Sequence, residues 1–160
     1  MMKHISLLRR TPTILTLLLF GLLASACAPS AMSQLDDAEK KWQSAAVESY
    51  AIEVLEVNSI WHAQTQTLTV VDGQVTDTAA SCIPAPMEMR ECKVKAFEAQ
   101  RFTIDGLFAE ARSRLKSEQA KWVKISYDPT YGYPATISYN HPDIVDEDWG
   151  MRVTKFEVQK

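Results

Sequence analysis

The sequence predicts an α+β domain in which an antiparallel sheet of five to seven strands is packed on one face by two helices. Short segments rich in β-branched and aromatic residues are separated by turn signals, two other segments have helical apolar stripes, and hairpins predominate over crossovers. The chain has 160 residues, of which 46% are hydrophobic and 23% charged, with five glycines and seven prolines. This composition is typical of one globular domain and excludes collagen-like and low-complexity chains.

The first 26 residues have the pattern of a secretory signal peptide. Lys3, Arg9 and Arg10 give the amino end a positive charge without any acid, and residues 13–23 form an almost unbroken apolar run. Small residues then lead up to Cys27 in a pattern that resembles a lipobox, where a signal peptidase cuts before a cysteine that carries diacylglycerol. We expect Cys27 to be lipidated and to become the first residue of the mature protein.

Two other processing routes remain open from the sequence. A plain signal peptide could be cut after Ala26 without lipid, or the apolar run could stay as an anchor, although it is shorter than the roughly 20 residues that a bilayer helix needs. With lipid on Cys27, the acyl chains suffice for stable membrane anchoring. Residues 27–34 are then a tether, and residues 35–160 form a single domain in the bacterial cell envelope. In a Gram-negative host, Ala28 favours the outer membrane, with the domain facing the periplasm.

The charge of the mature chain argues against nucleic-acid binding. Residues 1–26 hold three of the 17 Lys and Arg and none of the 20 Asp and Glu, so their removal shifts the formal charge from −3 to −6. An acidic surface repels phosphate backbones, and the sequence has no basic stripe with interleaved aromatic residues. We therefore expect no nucleic-acid partner, and we expect membrane contact to come from the lipid.

A helix and then a strand are predicted directly after the tether. From Ser33 to about Glu48, apolar residues recur at helical spacing. They are Leu35, Ala38, Trp42, Ala45 and Ala46. Residues 50–57 are rich in β-forming side chains and predict the first strand.

The next two strands are predicted to form a tight hairpin. Residues 66–71 alternate Leu and Val with Thr, and they end at Asp72 and Gly73, a pair typical of two-residue hairpin turns. Val75 opens the return strand. These strands and the first one should lie in one sheet.

The three cysteines indicate one disulfide. The lipobox uses Cys27 and leaves Cys82 and Cys92, which export would expose to an oxidising compartment. A structural bridge between them would close a proline-rich loop. The alternative is a redox-active or metal-binding pair, but the C-x-x-C spacing and a nearby histidine are both missing.

The second half should contain one more helix and up to four strands. Residues 94–97 are a weak strand candidate, and Thr103 is placed to cap a helix. The apolar stripe of that helix is Ile104, Leu107, Phe108, Ala111 and Leu115. Residues 123–127 and 135–139 alternate as the two strands of a hairpin, and residues 151–158 predict a last strand.

Four segments carry a resemblance to a known family. The most distinctive is residues 127–137, which read Tyr-Asp-Pro-Thr-Tyr-Gly-Tyr-Pro-Ala-Thr-Ile. Together with residues 70–75, residues 103–108 and the acidic residues 143–148, this motif resembles an uncharacterised group of bacterial lipoproteins, the domain-of-unknown-function family 6174. The resemblance extends from about Trp42 to Phe156. It implies an envelope location and supplies no known catalytic residue.

The turn of this motif has two interpretations. Its proline, glycine and aspartate positions suit a turn that fixes a hairpin. Its tyrosines could instead form a recognition surface, because tyrosine combines apolar area with a polar tip, and an exposed tyrosine patch would favour this interpretation. The candidate binding surface is Tyr127, Asp128, Tyr131 and Tyr133.

No metal site and no cofactor are predicted. The densest acid cluster lacks the alternating spacing of a calcium-binding loop, so a solvated acidic turn is the plainer interpretation. That cluster is Asp143, Asp146, Glu147 and Asp148. His62 and His141 lie far apart in sequence, without a cysteine or acid at ligand spacing, and do not predict zinc.

No catalytic residues are assigned either. The G-x-S-x-G motif is missing, and Ser126 and Ser138 lie in predicted strands. Asp128 and His141 are the one pair considered for general acid–base catalysis, at opposite ends of a predicted hairpin.

We therefore expect a non-enzymatic, lipid-anchored envelope protein that binds an envelope protein or a peptidoglycan-associated partner, or has a structural role. The alternative is a small periplasmic hydrolase or metal-dependent enzyme. It requires Asp128, His141 and residues 143–148 to converge in one pocket. A carrier for a small ligand is a further alternative, and it requires an apolar cavity.

Overall fold

A computed structural model describes residues 29–59, 62–84, 92–144 and 146–159. Within them lie one six-stranded antiparallel sheet and two α-helices, which confirms the predicted α+β class. The helices are α1 (Ala31–Ala45) and α2 (Ile104–Leu115). The strands are β1 (Tyr50–Asn58), β2 (His62–Val71), β3 (Gln74–Ile83), β4 (Val123–Tyr127), β5 (Pro134–Tyr139) and β6 (Trp149–Val158). The predicted signal peptide and Cys27 lie outside the described residues.

Helix α1 begins earlier than the sequence predicted. The Oγ atom of Ser30 accepts a hydrogen bond of 3.1 Å from the amide of Ser33, which caps the helix and sets its first residue at Ala31. Residues 31–34, which were expected in the tether, are therefore helical. The helix ends at Ala45 rather than near Glu48. Its buried side chains, Leu35, Ala38 and Trp42, all belong to the predicted stripe.

The sheet has the strand order β3-β2-β1-β6-β5-β4, and every neighbouring pair is antiparallel. Its last strand in sequence, β6, therefore lies between β1 and β5 in the middle of the sheet. Strand β6 begins at Trp149, two residues before the predicted start, and β2 begins at His62, four residues before it. On β2 the polar residues His62, Gln64 and Thr65 hide the apolar alternation, and on β6 Gly150 interrupts it.

The core lies between one face of the sheet and the two helices. Thr103 caps α2 as predicted, since its Oγ1 atom accepts a hydrogen bond from the amide of Gly106 at 3.1 Å. The buried residues of α2 are Ile104, Leu107, Phe108 and Ala111. The sheet contributes Tyr50, Ile52, Val54, Leu68, Val70, Ile137, Tyr139, Trp149 and Met151 to the same core. On β1 and β2 the alternate side chains, which point away from the helices, are half-buried or exposed.

Residues 94–97 do not form a strand, so that prediction was wrong. The segment runs without regular structure beside β2, and the side chain of Gln64 pairs with it. The amide nitrogen of Lys95 donates to Oε1 of Gln64 at 2.8 Å, and Nε2 of Gln64 donates to the carbonyl oxygen of Lys95 at 3.0 Å. A buried side chain thus supplies the hydrogen bonds that a neighbouring strand would supply. Cys82 and Cys92 are joined in a disulfide, with a Cα–Cα distance of 5.7 Å, which ties the start of this segment to β3.

Candidate functional site

The turn between β4 and β5, residues 128–133, is held together by Asp128. Its Oδ1 atom accepts hydrogen bonds from the amides of Thr130, at 2.9 Å, and Tyr131, at 2.6 Å. Its main chain bonds to Gly132 and Tyr133 across the same turn. The carboxylate of Asp128 therefore accepts main-chain hydrogen bonds within its own turn, as aspartates at the start of turns commonly do.

This turn lies directly against helix α1. Gly132 has a φ of +86°, and a Cβ atom at this position would lie 2.7 Å from the carbonyl oxygen of Ala38. The Nζ atom of Lys41 donates a hydrogen bond of 2.5 Å to the carbonyl oxygen of Pro129. Only glycine allows both the backbone conformation and the close approach.

The tyrosines of the motif do not form an exposed patch. Tyr133 is 7% exposed and its ring lies edge-on to Trp42, with centroids 6.3 Å apart. Burial, assisted by the nearby carboxylate of Asp128, raises the pKa of Tyr133 to about 12. Tyr127 and Tyr131 are half-buried, and burial also raises the pKa of Tyr127. The contact of Tyr133 with Trp42 thus helps to fix the β4–β5 turn on α1, whereas the ring of Tyr131 lies 5.5 Å from that of Phe156 on β6.

Asp128 and His141 are not brought together. They follow opposite ends of the β4–β5 hairpin, with all of β5 between them. The ring of His141 lies 5.0 Å from that of Trp122, and its Nδ1 atom accepts a hydrogen bond from the amide of Asp143 at 3.2 Å.

A cleft of about 430 Å³ lies beside His141, and its lining includes Ser59, Asp146 and Asp148 but not Asp128. In the described part of the chain, no three His, Cys, Asp or Glu side chains are grouped to hold a metal ion. The convergence that the enzyme interpretation requires is therefore absent from the described residues.

A cluster of charged side chains that sequence reasoning missed lies at the other end of the helical face. Nη1 of Arg101 lies 2.7 Å from Oε1 of Glu56, and Nε of Arg101 lies 3.3 Å from Oε2 of Glu110. Arg114 joins Glu110 at 2.8 Å. The guanidinium of Arg114 also lies 4.2 Å from the ring centroid of Trp149, within cation–π distance. We call these five residues the arginine cluster.

The carboxylates of the arginine cluster are more buried than its guanidinium groups, since the side chains of Arg101 and Arg114 are 33% and 36% exposed. The side chains of Glu56 and Glu110 are only 12% and 16% exposed. Burial disfavours the charge on Glu110, but the hydrogen bonds from Arg114 and Arg101 overcome it and lower the pKa of Glu110. Burial likewise opposes the charge of Arg101, and its two carboxylate partners raise the pKa. The charged forms of Arg101 and Glu110 are therefore stabilised by their ion-pair partners.

A cleft of about 270 Å³ opens beside the cluster, between the β1–β2 end of the sheet and the segment that precedes α2. We call it the arginine cleft. Its polar lining includes Glu56, Asn58, His62, Lys95, Glu98 and Arg101. It thus offers charges of both signs within one concave surface. One signal could have indicated it, because Glu56 follows Tyr50, Ile52 and Val54 at the alternate positions of β1 that face the core.

The model of the family of unknown function DUF6174 matches residues 34–158. The chain belongs to the DUF6174 family. This confirms the resemblance carried by the motif at residues 127–137. Nothing among curated proteins or solved structures matches the chain.

The DUF6174 match includes all six strands, α2 and most of α1, so both the β4–β5 turn and the arginine cleft belong to the DUF6174 domain. Cys27 lies before it. Among the described residues, no helix is both long enough and apolar enough to span a bilayer.

Proposed function

We propose that this DUF6174 protein is a lipid-anchored binding module of the bacterial cell envelope, held by acyl chains on Cys27. The observation that carries the proposal is the order of the amino-terminal features. A positively charged start, an apolar run and small residues lead to Cys27, and Ser30, the cap of α1, follows three residues later. Three residues span at most about 11 Å, so the anchored domain would sit directly at the membrane surface.

The anchor is tested with the intact protein expressed in a bacterial host. The mature wild type should start at Cys27, carry added acyl mass and partition into detergent. The Cys27→Ala variant should lose all three properties. Cys82→Ala is the matched control, because it removes a cysteine outside the lipobox and should keep the acyl mass. An unmodified, soluble wild-type product starting at residue 27, or one that retains residues 1–26, would contradict the proposal.

The arginine cleft is the proposed partner surface of this module. It combines the exposed side chains of Lys95 and Glu98 with the Glu56–Arg101 ion pair, so it suits a partner group that itself carries both amines and carboxylates. The peptide stems of peptidoglycan have this chemistry. A peptidoglycan-associated partner within reach of a membrane-held domain is therefore the partner class we propose.

Purified peptidoglycan sacculi provide the direct test of this partner class. The full chain should co-sediment with sacculi, and Glu98→Lys, which reverses a charge on the rim of the cleft, should lower the bound fraction at least tenfold. Glu118→Lys is the control, since Glu118 is exposed and does not line the cleft. Equal binding by the two variants would place the contact elsewhere and contradict the cleft assignment.

A further inference from the structure

The two edges of the sheet are very different. Strand β3 forms one edge and is ten residues long, whereas β4 forms the other edge and has five residues. Strand β3 pairs with β2 on one side, and no other described strand pairs with it on the other side. An edge of this length exposes a row of main-chain donors and acceptors that another strand can pair with.

Strand β3 lacks most of the features that protect natural edges. Its sequence, Gln-Val-Thr-Asp-Thr-Ala-Ala-Ser-Cys-Ile, contains no proline and no lysine, and Asp77 is its one charged residue. Seven of its ten residues are exposed. The irregularity in its pairing lies next to the hairpin, and from Asp77 to Ile83 the register with β2 is continuous. Seven regular residues are thus open to a further strand.

We propose that β3 pairs with β3 of a second copy of this chain, in an antiparallel arrangement that joins two six-stranded sheets into one. A two-fold interface requires a strand that is complementary to itself. Pairing centred on Thr78 places Asp77 opposite Ala79, and pairing centred on Ala79 places it opposite Ser81. Neither register sets like charges against each other, which would destabilise the pair. The small Thr, Ala and Ser side chains allow close approach along the whole edge.

The two-fold axis of such a pair is perpendicular to the sheet. The helices of both copies therefore lie on the same face of the joined sheet. The α1 helix packs against the β4–β5 turn through Ala38 and Lys41, near the edge opposite β3, so this part of α1 is not placed in the contact. This arrangement goes beyond the proposed binding function and does not depend on lipid at Cys27.

The mass of the full chain in detergent, measured by sedimentation equilibrium over a wide range of concentrations, tests the proposal. The wild type should double its protein mass as the concentration rises. Thr78→Lys should remain a monomer throughout, because the two lysines would face each other or lie diagonally across the joint. Ser126→Lys is the matched control, since it puts the same charge on an exposed residue of the other edge strand, and it should dimerise like the wild type.

Amide hydrogen exchange gives a second measurement that does not depend on a variant. In the dimer, alternate amides of residues 77–83 should exchange at least tenfold more slowly than in the dilute monomer, with no such change in β4. Circular dichroism should show that Thr78→Lys keeps the wild-type fold. A wild type that stays monomeric, a Thr78→Lys variant that still dimerises, or equal dissociation of both lysine variants would each overturn the proposal.

Discussion

The side chain of Gln64 makes the two hydrogen bonds to the main chain of Lys95 that a neighbouring β-strand would otherwise make. Its two amide atoms bond to the main-chain nitrogen and oxygen of Lys95 at 2.8 and 3.0 Å, and Gln64 itself is only 2% exposed. The segment before α2 is thereby hydrogen-bonded to β2 through a side chain, although it is not a strand of the sheet. The attachment also shapes the arginine cleft, because Gln64 and Lys95 both line it.

Replacement of Gln64 should therefore lower the stability of the folded domain. In Gln64→Met the side-chain volume is nearly kept, but both main-chain groups of Lys95 lose their partners, and we expect a loss of about 1–3 kcal/mol in the free energy of unfolding. Gln43→Met, on the exposed surface of α1, is the control and should stay within about 0.5 kcal/mol of the wild type. Urea unfolding measures both variants. Equal stability of the two would show that the paired amide contributes nothing.

The close contact between the β4–β5 turn and α1 predicts a difference between two glycine substitutions. Gly73→Ala places a side chain at a φ of +73° with no atom within 4 Å, so it should cost only about 1–2 kcal/mol of backbone strain. Gly132→Ala has similar strain and also forces the turn away from Ala38. We expect Gly132→Ala to lower the melting temperature clearly more than Gly73→Ala. The reverse order would contradict the contact.

The arginine cluster predicts a pH dependence of stability. Because the ion pairs hold the pKa of Glu110 below its ordinary value of 4.5, the unfolded chain takes up this proton at a higher pH than the folded chain. The stabilisation is therefore complete above pH 4.5 and is lost as the pH falls through the lower folded pKa. Glu110→Gln should cost about 1–2 kcal/mol at neutral pH and progressively less in acid.

A second ion pair provides the control for that measurement. Glu157 lies 3.2 Å from Lys155, but both side chains are 61% exposed, so Glu157→Gln should change stability little at any pH. Unfolding titrations from neutral pH into acid compare the two variants. A Glu110→Gln deficit that does not shrink in acid would mean that the loss comes from packing rather than charge.

Removal of the disulfide should lower the free energy of unfolding, but the domain should still fold. The bridge joins residues ten apart in sequence, and in the chain-entropy description its loss costs about 3 kcal/mol. The double variant Cys82→Ser with Cys92→Ser should show this loss in denaturant. A reducing agent should reproduce it in the wild type and have no effect on the variant. A reductant effect of equal size in both would mean that the bridge is not its source.

Local chemistry made much of the fold predictable. The stripe of α2, its Thr103 cap and the Asp72–Gly73 hairpin depend on near neighbours in sequence, and each is where the pattern placed it. Residues 94–97 could not be placed, because their partner is a single side chain 31 residues away. The arginine cluster could not be predicted for the same reason, since its members Arg101 and Glu56 are 45 residues apart in sequence. Long-range polar contacts leave no period in the sequence.

The central position of β6 has a consequence for biosynthesis. The hairpins β1–β2–β3 and β4–β5 are connected within the sheet only through β6, which contains residues 149–158. A nascent chain can form these hairpins early, but it cannot close the sheet until residues 149–158 have left the ribosome. Closure of this sheet therefore has to wait for the synthesis of β6, even though five of the six described strands precede β6 in the chain.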